Sequence, residues 1–284
     1  QLSSCYIGSS PDNIEGIFHG YEEMALLSKY GGGIGWDWNE IRALGGYIDN
    51  TKGAAGGTVP FLKINNDIAI AVDQLGTRKG AIAVYLEPSH LDILDFIDLK
   101  KNSGEERRRA HDLFPALWID DAFMEAVLKD SDWNLYDPAE PGVVKQTLKA
   151  KDLWKKILTS YFESGSPFLC FKDTANRANP NSHVGKIRSS NLCTEIFQNT
   201  SPNQYKIKVW VNEGKEYILF DEEEDVDLLN GSVKKAKKVT SLDKLADCRY
   251  TTNLGNTSDS QLLLADIYCV EKEKINGETA VCNL

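Results

Sequence analysis

The sequence predicts an α/β protein built on a parallel sheet. Three observations lead there. Segments with a helical hydrophobic period alternate with short apolar runs. One of those runs, "AIAVYLEP", is apolar almost throughout, as a parallel strand covered on both faces would be. The chain has 284 residues, enough for a large core in one domain or two. Helices alternating with buried strands are the pattern of an α/β sheet.

The elements follow in order. "NIEGIFHGYEEMALLSKY" carries Ile14, Ile17, Phe18, Tyr21 and Ala25 at helical spacing, with Asp12 ahead of it and Glu15 three residues on, a capping-box signature. "GGGIGWDWNEIRALGG" reads as a Gly-rich loop around Ile34, without the G-K-[ST] of a P-loop. "TVPFLKINNDIAIAVDQ" is a second helix, "LGTRKG" a polar turn, and "AIAVYLEP" the buried strand. "IDDAFMEAVLKD" is a helix, "WNLYDP" a short strand, "KDLWKKILTSYFESG" a helix and "PFLCFKD" a strand. The composition shifts near Asn203. "YKIKVWVNEGKEYILF" alternates like a half-exposed hairpin with Gly214 near its turn. The acidic "DEEEDVD" and basic "KKAKK" runs read as solvated faces, and Asn230-Gly231 and Asn276-Gly277 as turns. The organisation expected is a main body over 1–202, a small β-rich insert over 203–276, and a resumption of the main body at 277–284.

The net charge of -10 argues against a general nucleic-acid groove, which needs a basic surface. No apolar stretch is long enough to span a bilayer, and the first residues do not read as a signal peptide. The six cysteines (Cys5, Cys170, Cys193, Cys248, Cys269, Cys282) include no C-x-x-C pair and are too sparse for a secreted disulfide scaffold. A reducing cytoplasm is the expected setting. The four histidines (His19, His90, His111, His183) do not cluster by spacing, so no metal site is expected in this chain. The opening "QLSSCYIG" lacks methionine and "ETAVCNL" stops within an apolar run, which suggests a piece of a longer polypeptide.

"RSSNLCTEIFQNT" holds the most suggestive chemistry. If it is extended, Asn191, Cys193 and Glu195 share one face. That would group an amide, a thiol and a carboxylate, the components of a reaction centre. A buried structural cysteine beside two polar loop residues fits the same spacing.

Three pieces taken together, "SSC" at Ser3–Cys5, "SNLCTEI" at Ser190–Ile196 and "AVCNL" at Ala280–Leu284, resemble the catalytic (large, α) subunit of class I ribonucleotide reductase. "GIGWDWNEIRALG", "DQLGTRKGAIAVYLEPSHLDILDFIDLKKNSGEE" and "HDLFPALWIDDAFM" extend the resemblance across Gln1 to about Asn203, and it resumes near Gly277. The resemblance implies part of a ten-stranded α/β barrel, interrupted by the insert. It implies that Cys193 sits on a finger loop, is transiently oxidised to a thiyl radical and takes the C3′ hydrogen of a ribonucleotide. Glu195 would take the 3′-hydroxyl proton, Asn191 would hold the ribose hydroxyls, and Ser4 would line the substrate site. Cys5 and Cys282 would supply two electrons and close to a disulfide, which requires a Cα separation under about 7 Å.

The resemblance also implies regulation. Asp12, Asn13, Ile14 and Arg42 would bind a deoxynucleoside triphosphate or ATP effector, and Asp73, Gln74 and Arg78 would form the specificity loop. Some members of the family carry a second arginine seven residues after the one matching Arg42, where this chain has Asp49. The implied partners are a metal-containing, radical-generating small (β) subunit, a second α subunit, thioredoxin or glutaredoxin as reductant, and a ribonucleotide substrate, with no nucleic acid and no membrane. This stretch lacks the activity-regulating domain of many members and most of the second half-barrel, so it is expected to be inactive in isolation. Two alternatives remain at this point: a deoxynucleotide-binding regulatory module without catalysis, and a reductase that draws its radical from cobalamin.

Overall fold

The structure is a computed structural model that describes residues 3–48, 54–72, 79–183 and 185–200, together with strands between 205 and 282. The chain divides into two compact units, Gln1–Pro202 with Glu278–Leu284, and Asn203–Gly277.

The first unit is organised by a six-stranded sheet. Its members are β1 (Cys5–Ser9), β2 (Gly33–Asp37), β5 (Ala81–Leu86), β6 (Phe114–Ile119), β9 (Phe168–Phe171) and β16 (Ala280–Cys282), and their order across the sheet is β16-β1-β2-β5-β6-β9. The five strands from β1 to β9 are parallel, and β16 runs antiparallel against β1. Two small antiparallel hairpins stand apart from it: β3 (Leu44–Tyr47) with β4 (Ala54–Gly56), and β7 (Asp132–Tyr136) with β8 (Val144–Lys149). The "WNLYDP" strand therefore belongs to a hairpin and not to the parallel sheet.

The helices are α1 (Ile14–Lys29), α2 (Thr58–Ala71), α3 (Ile93–Ile97), α4 (Asp121–Lys129), α5 (Ala150–Ser164) and α6 (Lys172–Arg177). On α1 the buried stripe is Ile17, Tyr21, Met24 and Ser28, while Ile14 and Phe18 are half exposed. The cap of α1 is Asn13, whose side chain accepts from Gly16 N at 2.8 Å. Asp12 is not the cap, because its carboxylate is engaged by Arg42. The cap of α4 is Asp120, which accepts from Phe123 N at 2.7 Å.

Strand alternation sorts side chains onto two faces. Ile34, Trp36, Ile82, Val84, Leu86, Leu117 and Ile119 join the helices in the large core. Ala83, Tyr85, Ala116, Trp118 and Cys170 form a second cluster with Ile187. In β2 the residues alternating with Ile34 and Trp36 are Gly33 and Gly35. The Gly-rich loop expected around Ile34 is thus a fully buried strand. Its glycines serve close backbone approach rather than a turn.

The second unit contains an antiparallel sheet of order β11-β10-β15-β14, from β10 (Tyr205–Val211), β11 (Glu216–Asp221), β14 (Lys244–Leu245) and β15 (Ala265–Lys274), and a two-stranded pair, β12 (Asp225–Asp227) with β13 (Val233–Lys235). The expected hairpin is the β10–β11 pair, with Trp210 opposite Tyr217.

Candidate active site

The site begins at the edge of the sheet. β1 carries Cys5, which is buried, and Ser4 Oγ lies 4.0 Å from Cys5 Sγ. Directly opposite Cys5 on β16 is Cys282, in an antiparallel register that also pairs Tyr6 with Val281 and Ile7 with Ala280. Opposed residues on antiparallel strands have Cα atoms about 4.5–5.5 Å apart, inside the range a disulfide spans.

The segment around Cys193 then returns to this edge. Its sequence allows an extended conformation with Asn191, Cys193 and Glu195 on one face, but the segment is a turn. Thr194 takes a left-handed conformation (φ 63), and its N–H donates to Asn191 O at 3.3 Å. The Asn191 side chain enforces the turn. Its Oδ1 accepts from Glu195 N and Ile196 N, both at 3.1 Å, and its Nδ2 donates to Glu195 Oε1 at 2.8 Å. A short amide that bonds its own downstream backbone competes well with an extended strand. Asn191 is completely buried while Cys193 is exposed at the tip.

Two neighbours of the tip dock it beside Cys5. Ile196 packs against Cys5 and Ile7. Leu192 covers Gly33, where an added Cβ would sit 2.9 Å from Leu192 Cδ2, and Gly33 is the partner of Cys5 across β1 and β2. Beneath the turn, Tyr85 Oη donates to Asn191 O at 2.7 Å, and Ser190 Oγ donates to Ile196 O at 2.7 Å. A Cβ on Gly35 would collide with the carbonyl oxygen of Ser190 and lie 2.7 Å from Asn191 Cα. Tyr85 and Gly35 are supports that the sequence reading does not single out. A glycine alternating with large apolar residues in "GIGW" is the available signal.

Charge is concentrated where the loop leaves the sheet. Arg188 forms an ion pair with Glu40, and Lys172 Nζ lies 2.7 Å from Glu87 Oε1. Asp37 is almost entirely buried beside them. Burial pushes its carboxyl up to about 7, against the lowering effects of the Asn39 N–H and Arg188. Burial also raises the Tyr85 hydroxyl and pushes the Cys170 thiol up to about 11, so Cys170 stays protonated and is a poor nucleophile at neutral pH.

Asp12, Asn13, Ile14 and Arg42 meet at the start of α1. Arg42 donates to Asp12 through Nε at 2.8 Å and through its backbone N at 3.0 Å. Three side chains from elsewhere fasten the backbone after Glu40. His90 Nε2 bonds Ile41 O at 2.8 Å, Asp137 accepts from Ala43 N at 3.1 Å, and Asp92 accepts from Leu44 N at 2.9 Å. Because Asp92 N donates to His90 Nδ1, the ring proton sits on Nε2. No local sequence signal marks these three, since each lies far along the chain from the loop it holds. Asp49, Asp73, Gln74 and Arg78 lie outside the described residues. Among the described residues, no group of three or more His, Cys, Asp and Glu is arranged to hold a metal ion, and no helix is long and apolar enough to cross a membrane.

Comparisons with known proteins bear on this geometry. Residues 3–284 match the family described as the ribonucleotide reductase barrel domain. A ribonucleoside-diphosphate reductase subunit alpha of Helicobacter pylori strain J99 is 56% identical over 306 aligned positions, covering 100% of this chain and 36% of that protein. A ribonucleoside-diphosphate reductase large subunit of Arabidopsis thaliana is 45% identical over 72% of the chain and 28% of its own length. A subunit alpha of Chlamydia trachomatis is 42% identical over 72% of the chain and 22% of its own length. The chain thus spans about a third of the length of the Helicobacter protein. A match along the whole of this chain at that level of identity places it plainly: the chain belongs to the ribonucleotide reductase family, matching its barrel domain over residues 3–284.

Proposed function

We propose that this chain is part of the catalytic subunit of a ribonucleoside-diphosphate reductase, which converts ribonucleotides to 2′-deoxyribonucleotides by thiyl-radical chemistry. The observation that carries the reading is the direct opposition of Cys5 and Cys282, with Leu192 and Ile196 docking the Cys193 turn beside Cys5. Acid–base side chains alone do not break an unactivated carbon–hydrogen bond, so the radical comes from outside this chain. Its source is a metal-containing small (β) subunit.

In this reading the Cys193 thiyl takes the C3′ hydrogen and Glu195 accepts the 3′-hydroxyl proton. Asn191 holds Glu195 in place and holds the ribose hydroxyls, and Ser4 lines the substrate site. The 2′-hydroxyl leaves as water. As their sulfurs join, Cys5 and Cys282 give up two electrons and two protons: one proton leaves in the water, and the electrons with the other proton form the new C2′–H bond. Cys193 then returns the hydrogen to C3′, and Glu195 returns its proton to the 3′-oxygen. Thioredoxin or glutaredoxin then reopens the disulfide. Asp12, Asn13, Ile14 and Arg42 bind a deoxynucleoside triphosphate or ATP effector, and Asp73, Gln74 and Arg78 relay its identity to the substrate base. The catalytic subunit works as a homodimer in the cytoplasm.

The test uses the full-length subunit with its radical-generating partner, a ribonucleoside diphosphate and a dithiol. Deoxynucleotide formation that disappears with Cys193→Ala supports the reading. Effector binding without any reduction would point to a regulatory module, and dependence on added cobalamin would reassign the radical source.

A further inference from the structure

The loop that carries Cys193 leaves and rejoins the body at one point, where Ile187 and Asn199 form an isolated antiparallel bridge. A radical that abstracts hydrogen needs its partner atom at near-contact distance, so the root of this loop must be fixed as firmly as its tip. Ile187 is the fixed point. Its side chain is buried in the cluster with Tyr85, Trp118 and Cys170.

Its backbone is gripped from α6. Asn176 Oδ1 accepts from Ile187 N at 2.9 Å, and Asn176 Nδ2 donates both to Ile187 O at 2.9 Å and to Lys172 O at 3.0 Å. One carboxamide thereby closes both polar groups of Ile187 and ties them to the helix that directly follows β9. A second amide lies alongside it: Asn179 Nδ2 donates to Gly185 O at 2.9 Å and to Asn199 Oδ1 at 3.2 Å.

We propose that Asn176 is a positioning residue for the radical cysteine, setting the place from which the Cys193 loop springs. The proposal rests on the reading of Cys193 as the radical carrier. Only a carboxamide of this length offers an acceptor to Ile187 N and a two-proton donor to two carbonyls. An aspartate keeps the shape and the acceptor but turns an oxygen toward Lys172 O and Ile187 O.

The experiment compares Asn176→Asp and Asn176→Ala with wild type in the full-length subunit assayed with its radical-generating partner, alongside backbone hydrogen exchange. We expect kcat to fall at least about tenfold, with KM for the ribonucleotide within about twofold. Exchange should quicken at residues 187–196 and stay unchanged in β5 and β6. The alanine variant keeps the comparison informative if the aspartate variant does not fold. Unchanged kcat, or exchange rising equally through the whole sheet, would overturn the proposal. If the wild-type enzyme reduces no ribonucleotide, the functional reading fails, while the exchange pattern still decides whether Asn176 holds the loop.

Discussion

Cys5 and Cys282 stand directly opposite each other on β1 and β16, although almost the whole chain separates them in sequence. The antiparallel register sets this opposition before any bond forms, so oxidation needs little backbone movement. Differential alkylation and mass spectrometry of the full-length subunit after one turnover without reductant should find the Cys5–Cys282 disulfide. Cys5→Ser or Cys282→Ser should reduce sustained turnover to background and leave effector binding intact. A disulfide that instead involves Cys170 would refute the assignment.

Gly35 is the second constraint. A methyl group there meets backbone atoms of Ser190 and Asn191, which cannot swing aside as a side chain end could. Gly35→Ala should destabilise the fold by about 1–3 kcal/mol, the range for overpacking. It should also lower kcat by on the order of 100-fold if Cys193, which the displaced loop carries, is the reacting thiol as proposed. Denaturant unfolding and steady-state kinetics on the same preparation separate the two effects, and wild-type kcat would show that the loop has room.

Why Gly35 was unreadable explains much of what the sequence conceals. Helices α1, α2, α4 and α5 and strands β5 and β9 are legible, because amphipathic period and buried apolar runs are local signals. Strand β2 is not, because its glycines answer to a loop more than 150 residues away. Strands β1 and β6 carry no clear strand signal. "CYIGS" is short, and "FPALWI" contains a proline that lowers its strand signal. The spacing of Asn191, Cys193 and Glu195 suggests one shared face only if the segment is extended, whereas the structure joins Asn191 to Glu195 within a turn. The Asn191 side chain bends the chain, and spacing alone does not report that bond.

The Asp12–Arg42 pair predicts a regulatory defect that spares chemistry. Arg42 is held by Asp12, and its loop is fastened by His90, Asp92 and Asp137, so its guanidinium is pre-positioned beside the start of α1. Arg42→Ala should weaken deoxynucleoside triphosphate binding by about 10- to 100-fold, the scale of a lost charge-assisted contact. Reduction measured without effector should change little. Equilibrium binding with a labelled deoxynucleotide checks this, and unaltered affinity would refute the proposed effector site at Asp12 and Arg42.

Asp37 predicts a pH signature. Burial holds its carboxyl up to about 7, whereas in the unfolded chain it titrates near the ordinary aspartate value of about 3.9. Between those values the folded protein retains a proton that the unfolded chain has released. By linkage, stability falls as pH rises through that window and levels off above about 7. Asp37→Asn keeps an acceptor for Asn39 N and cannot ionise, so it escapes the loss. The variant should be more stable than wild type by roughly 1–4 kcal/mol at pH 8, with the gap closing toward pH 4. Denaturant unfolding at pH 4, 6 and 8 decides the matter. Parallel stability curves for the two proteins would mean that Arg188 and the surrounding dipoles hold Asp37 ionised throughout.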